Sequence, residues 1–334
     1  MVAKKTAARV IAEEMCERFP DSPNLQLARK LKTENPKHFA TIEVARSMVR
    51  VVRGVHGKDR VKHATQPRPK GKAGQLPSMP PSLADPFEAF HVDACKRVGI
   101  LSDIHVPYHS EQAWECAVKH LAGRQIDTLI INGDYCDFYR LSRYEKDPGK
   151  RHFSEELKSC VEGLKWMRSI FPKARIVLKA GNHEERFDHF IWQRAPELYD
   201  VPQCRISDQL QLPSVGVEYV HEQRPIFVGK LCILHGHEFK SGFAPAVNPA
   251  RGAFLRSLHS VLVGHHHRTS THVEPDMFGR EIAVWSTGHL AAPNPEYNRF
   301  AKSNHGFAYV EVSNGGEYNV ENYRLSKDWK VRTA

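Results

Sequence analysis

The sequence predicts an α/β protein with a small helical module in its amino-terminal part. From residue 97 onward, short apolar runs alternate with helical patterns, which is typical of βαβ units. Residues 1–54 show helical spacing alone. Residues 55–86 are rich in proline, glycine and basic side chains, which interrupt any periodicity. We therefore predict a helical module over residues 1–54, a linker over 55–86 and an α/β domain over 87–334.

The helical module is predicted to contain three short helices, the last of which has a basic face. They span residues 6–18, a stretch from Ser22-Pro23 to Asn35-Pro36, and a stretch from Thr41 to Gly54. The polar face of the third helix displays Arg46, Arg50 and Arg53. This arrangement resembles a helix-turn-helix module, which places a helix in the major groove of DNA. The alternatives are a bundle that binds another protein and a solvated basic face without a partner.

The formal net charge of +10 is concentrated in the amino-terminal quarter. Residues 1–85 contain 17 Lys and Arg against 8 Asp and Glu, whereas residues 86–334 contain 31 against 30. The linker supplies six of these basic residues, namely Lys58, Arg60, Lys62, Arg68, Lys70 and Lys72. Because such a segment attracts polyanions, residues 1–75 are predicted to bind nucleic acid through its phosphates. The alternative is an arm that only increases solubility.

The composition argues against a membrane protein and against a secreted one. The chain has no run of 18 apolar residues and therefore predicts no transmembrane helix. Its first residues are basic but lack the apolar stretch of a secretory signal. Seven cysteines, an odd number without a CxxC pair, indicate reduced thiols. We expect a cytoplasmic protein.

The α/β domain is predicted to contain three helices and ten strands. The helices span residues 111–121, 154–170 and 184–194. The strands span residues 97–104, 128–132, 175–180, 218–221, 225–229, 231–234, 261–263, 281–286, 307–312 and 318–323, the last two forming a hairpin. Trp166, Phe190 and Trp192 occupy helical positions and are predicted to be core residues.

Residues that commonly bind metals follow the apolar strands of this domain. The strand at 128–132 runs into Gly133-Asp134, with Asp137 three residues later. Four other strand ends carry Asp103-Ile104-His105, Gly181-Asn182-His183-Glu184, His235-Gly236-His237 and Gly264-His265-His266-His267. Open α/β folds bind their ligands at the carboxyl ends of strands. A glycine before a ligand also lets the backbone approach an ion closely.

The spacing within two motifs predicts chelating pairs. Positions i and i+2 of an extended segment face the same way, so Asp103 with His105, and His265 with His267, would each chelate as a pair. Oxygen and imidazole ligands without thiolate suit Mn²⁺, Fe or Zn²⁺. The strand ends therefore predict a metal centre.

The ordered set DxH, GDxxD, GNHE, HG and GHxH resembles the calcineurin-like metallophosphoesterase superfamily over about residues 97–290. The whole chain is similar to phosphoesterases of prophage type. This resemblance implies a four-layer α/β/β/α sandwich with a dinuclear metal centre at one edge. It implies two divalent ions, with Mn²⁺ as the first expectation and Fe or Zn²⁺ as alternatives.

The resemblance also implies a role for each residue that matches the family motifs. One ion would be held by Asp103, His105 and His267, and the other by Asn182, His235 and His265. Asp134 would be the carboxylate that bridges the two ions. His183 would contact the substrate phosphate and protonate the leaving oxygen, and Asp137 would orient that histidine.

The residues after the second motif bear on the substrate. Protein serine/threonine phosphatases follow GDxxD with Arg-Gly, whereas here Phe138-Tyr139 follow, which disfavours that activity. Three nearby arginines could grip a phosphate, namely Arg140, Arg143 and Arg186. Together with the basic module, these features predict a phosphodiesterase or nuclease acting on nucleic acid. The alternatives are a phosphomonoesterase for nucleotides or phosphoproteins, and a non-catalytic DNA-binding protein.

Overall fold

The computed structural model describes residues 5–54, 78–143, 152–221, 223–239, 247–293 and 302–334. The chain divides into two compact units, Met1–Ala84 and Asp85–Ala334. Residues 55–77 of the predicted linker, with its six basic residues, lie outside the described part of the chain. None of the described helices has the length and apolar character needed to cross a membrane.

The first unit contains three helices, as predicted. They are α1 (Ala7–Arg18), α2 (Asn24–Glu34) and α3 (Ile42–Val52). The Thr41 hydroxyl caps α3 by accepting a hydrogen bond from the Val44 amide at 3.2 Å. All three helices contribute to one apolar core, which includes Ala12, Met15, Leu27, Leu31, Phe39, Ala45 and Val49.

Arg53 does not belong to an open basic face, so that part of the helix-turn-helix prediction is wrong. Its guanidinium donates to the carbonyls of Phe19, Pro20 and Ser22 at 3.1, 2.8 and 2.8 Å. It also donates to Asn24 Oδ1 at 2.7 Å. These bonds tie the end of α3 to the turn between α1 and α2, because those carbonyls need donors where a helix ends. Arg53 therefore stabilises the bundle.

The second unit contains thirteen strands and six further helices among the described residues. In chain order the strands are β1 (Phe90–His91), β2 (Arg97–Leu101), β3 (Thr128–Asn132), β4 (Arg175–Lys179), β5 (Val217–Val220), β6 (Ile226–Val228), β7 (Leu231–Leu234), β8 (Val261–Val263), β9 (Ser270–Pro275), β10 (Glu281–Ser286), β11 (Gly306–Val312), β12 (Tyr318–Leu325) and β13 (Val331–Thr333). The helices are α4 (Glu111–Gly123), α5 (Phe153–Ile170), α6 (Glu185–Arg194), α7 (Ile206–Gln209), α8 (Leu212–Val215) and α9 (Pro249–Ser257).

The strands form two mixed sheets. One has seven strands in the order β13-β12-β11-β2-β3-β4-β5, in which β2 to β5 are parallel. The other has six strands in the order β1-β6-β7-β8-β10-β9, in which β7, β8 and β10 are parallel. Parallel neighbours bring their carboxyl ends to the same edge of a sheet. The loops that follow these strands in the two sheets can therefore contribute residues to one site.

Alternating side chains show that the sheets pack face to face. From β2, Val98 and Ile100 join a buried cluster with Ile233 and Leu262 of the other sheet. The opposite face of the seven-stranded sheet packs against α4 and α5. The outer face of the six-stranded sheet packs against α9 through Ala250 and other residues. The predicted four-layer α/β/β/α sandwich is confirmed.

Most predicted elements of this unit are present, and the differences are three edge strands and three short helices. Strands β1, β9 and β13 and helices α7, α8 and α9 were not predicted. Strand β9 is polar and largely exposed, and an edge strand of this kind is held by backbone pairing with a single neighbour, which leaves little pattern in the sequence. Strand β2 ends at Leu101 and not at residue 104, because Asp103 has a positive φ of 55°.

The aromatic residues predicted to lie in the core are partly exposed. The exposed fractions of Trp166, Phe190 and Trp192 are 38%, 43% and 53%. The prediction was wrong because helical spacing identifies a shared face but does not show whether anything covers it.

Candidate metal centre

Loops from both sheets meet where five strands end. The Asp103 amide donates to the Gly133 carbonyl at 3.1 Å, and the His105 amide to the Asp134 carbonyl at 3.0 Å. The Gly264 amide donates to the carbonyl of His235 at 2.8 Å. These backbone bonds join the loop after β2 to that after β3, and the loop after β7 to that after β8. The His265 amide links the two pairs by donating to Asp103 Oδ2 at 2.9 Å. Together these bonds bring side chains that are far apart in the sequence into one cluster.

The first group of potential ligands is Asp103, His105 and His267. Their ligand atoms all lie within 4.8 Å of one another. His267 Nε2 is 3.1 Å from Asp103 Oδ1 and 3.2 Å from His105 Nε2. The structure thus places together the three side chains assigned to one ion.

The second group is Asp134, His235 and His265, again within 4.8 Å. His235 Nε2 is 3.3 Å from Asp134 Oδ2, and the same oxygen is 3.9 Å from His105 Nε2 in the first group. Asp134 therefore lies between the two groups, where a bridging carboxylate has to be. Asn182, the remaining predicted ligand, precedes His183, whose amide donates to Asp134 Oδ1 at 2.9 Å.

The predicted pairing of ligands within a motif is only partly right. Asp103 and His105 fall in one group, but His265 and His267 fall in different groups. The segments are not extended, because five predicted ligands have positive φ values between 50° and 65°, namely Asp103, His105, Asp134, His265 and His267. For a residue with a Cβ this conformation costs roughly 1–2 kcal/mol, and such strain clusters at functional sites.

The glycines beside the ligands allow the close approach that the sequence predicts. A Cβ added to Gly181 would collide with the Asp134 carboxylate, and one added to Gly133 would collide with the His235 ring. A Cβ on Gly264 would collide with the Ser102 hydroxyl. A side chain at any of these positions would therefore displace a predicted ligand or its neighbour.

Several buried polar atoms at this site are suited to bind a cation. They make no hydrogen bond of acceptable geometry to any described residue, even where another polar atom lies 3.1–3.3 Å away, and they are Asp103 Oδ1, Asn182 Oδ1, His235 Nε2 and His265 Nδ1. His235 donates through Nδ1 to the Asn132 carbonyl at 2.7 Å, which leaves the Nε2 lone pair available. A buried polar atom without a partner is costly, and metal ions would remove that cost here. The residues present fit a pair of divalent ions.

The electrostatics of the cluster also favour cations. Burial opposes ionisation of Asp134, yet the positive charge of His235 holds the pKa of the Asp134 carboxyl well below the usual range. Burial likewise opposes protonation of His235, but the Asp134 and Asp103 carboxylates raise its pKa to about 10. In the absence of ions, a protonated imidazole balances the buried carboxylates. Divalent ions would take over that role and displace the proton.

His183 and Asp137 lie next to the two groups. Ligand atoms of His183, Asp137 and His105 lie within 4.8 Å of one another. His183 Nδ1 donates to the Asp137 backbone carbonyl at 2.7 Å, whereas the Asp137 carboxylate lies 3.1 Å from His105 Nδ1 and 3.6 Å from His183 Nδ1. Asp137 thus contacts both histidines. The carbonyl orients His183, and the carboxylate is closer to His105.

Arg186, one of the three predicted phosphate-binding arginines, contacts this cluster in the structure. It donates to His183 Nε2 and to the Asp137 carbonyl, both at 2.8 Å. Burial lowers the pKa of His183 to about 3, and its Nε2 therefore accepts this bond as a neutral imidazole. Arg140 lies in the 3₁₀ turn Tyr139–Leu141 and is half-buried, and Arg143 is exposed.

Two carboxylates for which the sequence predicted no role hold the loops after β3, β4 and β7 in place. Glu184 accepts hydrogen bonds from the amides of Asp134, Cys136 and Gly181 at 2.8–2.9 Å. Glu238 accepts from the amide of His235 and forms a buried ion pair with Lys179 at 2.9 Å. Lys179 lies in a strand and is fully buried, which no local sequence signal indicates.

His289 is a further residue that the sequence reasoning missed. Its ring stacks on that of His267 with centroids 4.8 Å apart. A signal was present, since Gly288-His289 follows strand β10 just as Gly264-His265 follows β8. His289 packs behind a predicted ligand and limits the orientations of its ring.

Comparison with known proteins identifies the family. The sequence model of the calcineurin-like phosphoesterase family matches residues 96–310, which is more than half of the chain. The chain belongs to this family. All nine residues predicted for the metal centre and for catalysis lie inside the matched region. The phosphoesterase is thus a metal-dependent phosphoester hydrolase with a candidate His and Asp metal site.

Individual relatives of the phosphoesterase are distant. The Gene 54 protein of Mycobacterium phage D29 is 24% identical over 203 residues, which is 57% of this chain and 77% of that protein. The structure of a Vps29 single mutant from Entamoeba histolytica is 15% identical, has a TM-score of 0.38, and is matched over 71% of this chain and 98% of its own. YfcE, a phosphoesterase from E. coli, is 16% identical, has a TM-score of 0.35, and is matched over 70% and 96%.

Proposed function

We propose that the phosphoesterase is a dinuclear phosphodiesterase that cleaves nucleic acid. The family supports hydrolysis of a phosphoester, and the distribution of charge supports the choice of substrate. Residues 1–85 contain 17 Lys and Arg against 8 Asp and Glu, while the rest of the chain is nearly neutral. A polyanion is the partner that such a segment attracts most strongly.

In this proposal the two ions are held by residues of the two groups. Asp103, His105 and His267 hold one ion, and Asn182, His235 and His265 hold the other, with Asp134 between them. Bound ions, Mn²⁺ first and Fe or Zn²⁺ as alternatives, supply charge neutralisation for the phosphoryl oxygens and activation of water. The ligand residues fix the positions of the two ions, and the hydrogen bonds of Glu184 and Glu238 hold the loops that carry those ligands.

His183 and Arg186 act on the substrate. In the structure Arg186 donates to His183 Nε2 at 2.8 Å, and both groups lie next to the cluster. A phosphate oxygen that enters between them accepts from the guanidinium and frees His183 Nε2. The negative phosphate favours uptake of a proton from water at the freed Nε2, and the resulting imidazolium passes that proton to the leaving oxygen, while the Asp137 carbonyl, 2.7 Å from Nδ1, keeps the ring in place. Arg140 and Arg143 are proposed to contact the flanking phosphates.

We also propose a reducing, cytoplasmic setting. The seven cysteines are unpaired, and four of them are buried, namely Cys16, Cys95, Cys136 and Cys160. Unpaired buried thiols are typical of a compartment that keeps thiols reduced.

The choice of a diester substrate is tested with two model compounds. With Mn²⁺, the purified protein is expected to hydrolyse bis-p-nitrophenyl phosphate faster than p-nitrophenyl phosphate, and EDTA is expected to abolish both rates. The release of nitrophenol measures each reaction. Turnover of the monoester alone would contradict the diester proposal and favour a phosphomonoesterase. Duplex DNA, single-stranded DNA and RNA then distinguish the kind of nucleic acid.

The contribution of the basic linker is tested by removing charge without shortening the chain. A fourfold variant replaces Lys58, Arg60, Lys62 and Lys70 with glutamine. We expect its affinity for a DNA duplex to fall and the slope of log affinity against log salt to decrease by up to about 4, because each phosphate contact releases about one counterion. Its rate on bis-p-nitrophenyl phosphate should not change.

The matched control removes the same charge from the other unit. It replaces four exposed lysines with glutamine, namely Lys119, Lys158, Lys165 and Lys327. Its DNA affinity and salt slope should stay close to those of the unmodified protein. An equal loss in both fourfold variants would mean that the total charge matters and not the linker, which would contradict the proposed role of residues 1–75.

A further inference from the structure

A cavity opens beside the metal centre, along helix α6. This helix begins at Glu185, two residues after His183. Glu185, Asp188 and Trp192 are spaced by three and four residues and therefore share one face of the helix. With a rise of 1.5 Å per residue, that face extends about 10 Å away from the metal centre.

The cavity has the size of a ligand site. Its volume is about 870 Å³, and its lining includes Glu185, Asp188, Trp192, Tyr199, Tyr219 and Gln223. Pockets that bind small organic groups have volumes of roughly 300–1,000 Å³. The cavity is therefore large enough for a heteroaromatic ring and part of a sugar.

Hydrogen bonds connect the cavity to the metal centre. Glu185 Oε1 accepts from His237 Nε2 at 2.9 Å and from Gln223 Nε2 at 3.1 Å. The His237 ring lies 5.3 Å from the ring of His235, a proposed ligand. One end of the cavity thus lies next to the proposed ions, and a substrate bound at the ions can extend into it.

The lining of the cavity matches a flat, polar ring better than a phosphate. The lining holds the carboxylates of Glu185, Asp188 and Asp200, which repel anions, against one guanidinium, that of Arg205. The Trp192 and Tyr199 rings are 53% and 63% exposed and offer flat surfaces for stacking. The Tyr219 hydroxyl is buried and has no hydrogen-bond partner among the described residues, and so it can bond to a ligand. Burial also raises the pKa of the Asp188 carboxyl, as expected for a group partly shielded from water.

We propose that this cavity binds the nucleobase next to the scissile phosphate. The base stacks on Trp192, and its exocyclic amino group donates to Asp188. The Tyr219 hydroxyl bonds to another edge of the ring. Stacking accepts any base, whereas a carboxylate favours bases with an amino group, such as adenine, over thymine. The inference rests on the proposed phosphodiesterase function, and it adds a residue that selects among bases.

The test compares nitrophenyl esters that differ only in the base. The substrates are the p-nitrophenyl esters of 2′-deoxyadenosine and thymidine 5′-monophosphate, which share the same sugar, with bis-p-nitrophenyl phosphate as a substrate without a base. Trp192→Ala is expected to lower kcat/KM about tenfold for both nucleotide esters and to leave the base-free substrate unchanged. Asp188→Ala is expected to lower the preference for deoxyadenosine over thymidine and to have little effect on the thymidine ester.

Phe190→Ala is the matched control, since Phe190 lies on the same helix, is 43% exposed and is absent from the lining. It should leave all three rates unchanged. Equal rates of the Trp192→Ala variant and the unmodified protein on both nucleotide esters would overturn the inference. Equal loss on all three substrates would do so too, because it would indicate a general structural defect.

A binding measurement separates this inference from the proposed function. Calorimetry with adenosine, which has no phosphate, is expected to show binding to the full protein and a loss of binding in Trp192→Ala. If no phosphodiester is hydrolysed but adenosine binds in this way, the proposed function fails and the cavity inference stands. Binding of tetramethylammonium but not of adenosine would assign the cavity to a cation and overturn the inference.

Discussion

Replacement of Asp134 by asparagine is expected to lower kcat/KM on bis-p-nitrophenyl phosphate by about 10³-fold or more and to reduce the number of ions bound per chain. Asp134 Oδ2 lies 3.3 Å from His235 Nε2 and 3.9 Å from His105 Nε2, which places it between the two groups of ligands. The asparagine side chain keeps an oxygen that can accept from the His183 backbone N–H, but it has no negative charge to share between two cations. Metal analysis and steady-state kinetics measure the two effects.

The control for this variant is Asp93→Asn, which removes an exposed carboxylate from the same unit. It should bind the same number of ions as the unmodified protein and have the same rate. A circular dichroism melt checks that Asp134→Asn is folded. Two bound ions and a rate within tenfold of the unmodified protein would refute the bridging role of Asp134.

Replacement of His183 by alanine is expected to leave the ion content unchanged and to lower kcat by about 10²–10⁴-fold on substrates whose leaving group needs a proton. His183 Nε2 is 3.8 Å from Asp134 Oδ2, and its Nδ1 is held by the Asp137 carbonyl at 2.7 Å. The ring is therefore beside the proposed ions and is not among their ligands. The loss should be smaller for nitrophenol, which departs as an anion, than for a nucleoside alkoxide.

The dependence on the leaving group distinguishes proton donation from a structural role. His259→Ala, a change of an exposed histidine in the same unit, should leave the rates on both classes of substrate unchanged. Added imidazole should partly restore the rate of His183→Ala on the poor leaving group. An equal loss on both leaving groups without rescue would contradict the acid role, and a loss of ions would place His183 among the ligands.

Local signals were sufficient for the central strands and for the candidate ligands. Strands β3, β7, β8 and β10 have the predicted boundaries, because each is a short apolar or alternating run followed by a turn signal. The candidate ligands stood out because each follows such a strand, and the carboxyl ends of strands are where this kind of fold binds ligands. The same signal, a glycine and a histidine after β10, also marks His289.

Other features depend on contacts between distant parts of the chain. Arg53 was predicted to face outward, and it is held by carbonyls about 30 residues away in the sequence. Lys179 was predicted as part of an apolar strand, and it forms a buried ion pair with Glu238 behind the His235 loop. Trp192 was predicted to be a core residue, and it lines an open cavity. Helical or strand periodicity shows which residues share a face, but residues distant in the sequence determine what packs against that face.

The sequence by itself determined the α/β class, the family and the residues that could bind metal, because these follow from patterns within a few residues of each strand end. The family resemblance implied how those residues divide between two ions, but only the tertiary structure shows why two histidines so close in the sequence separate. His265 and His267 are two positions apart, yet positive φ values of 65° and 55° send them to different groups. The physical reason is that the backbone conformation at these loops is imposed by the strands packed around them, and a spacing rule for extended chain does not apply there.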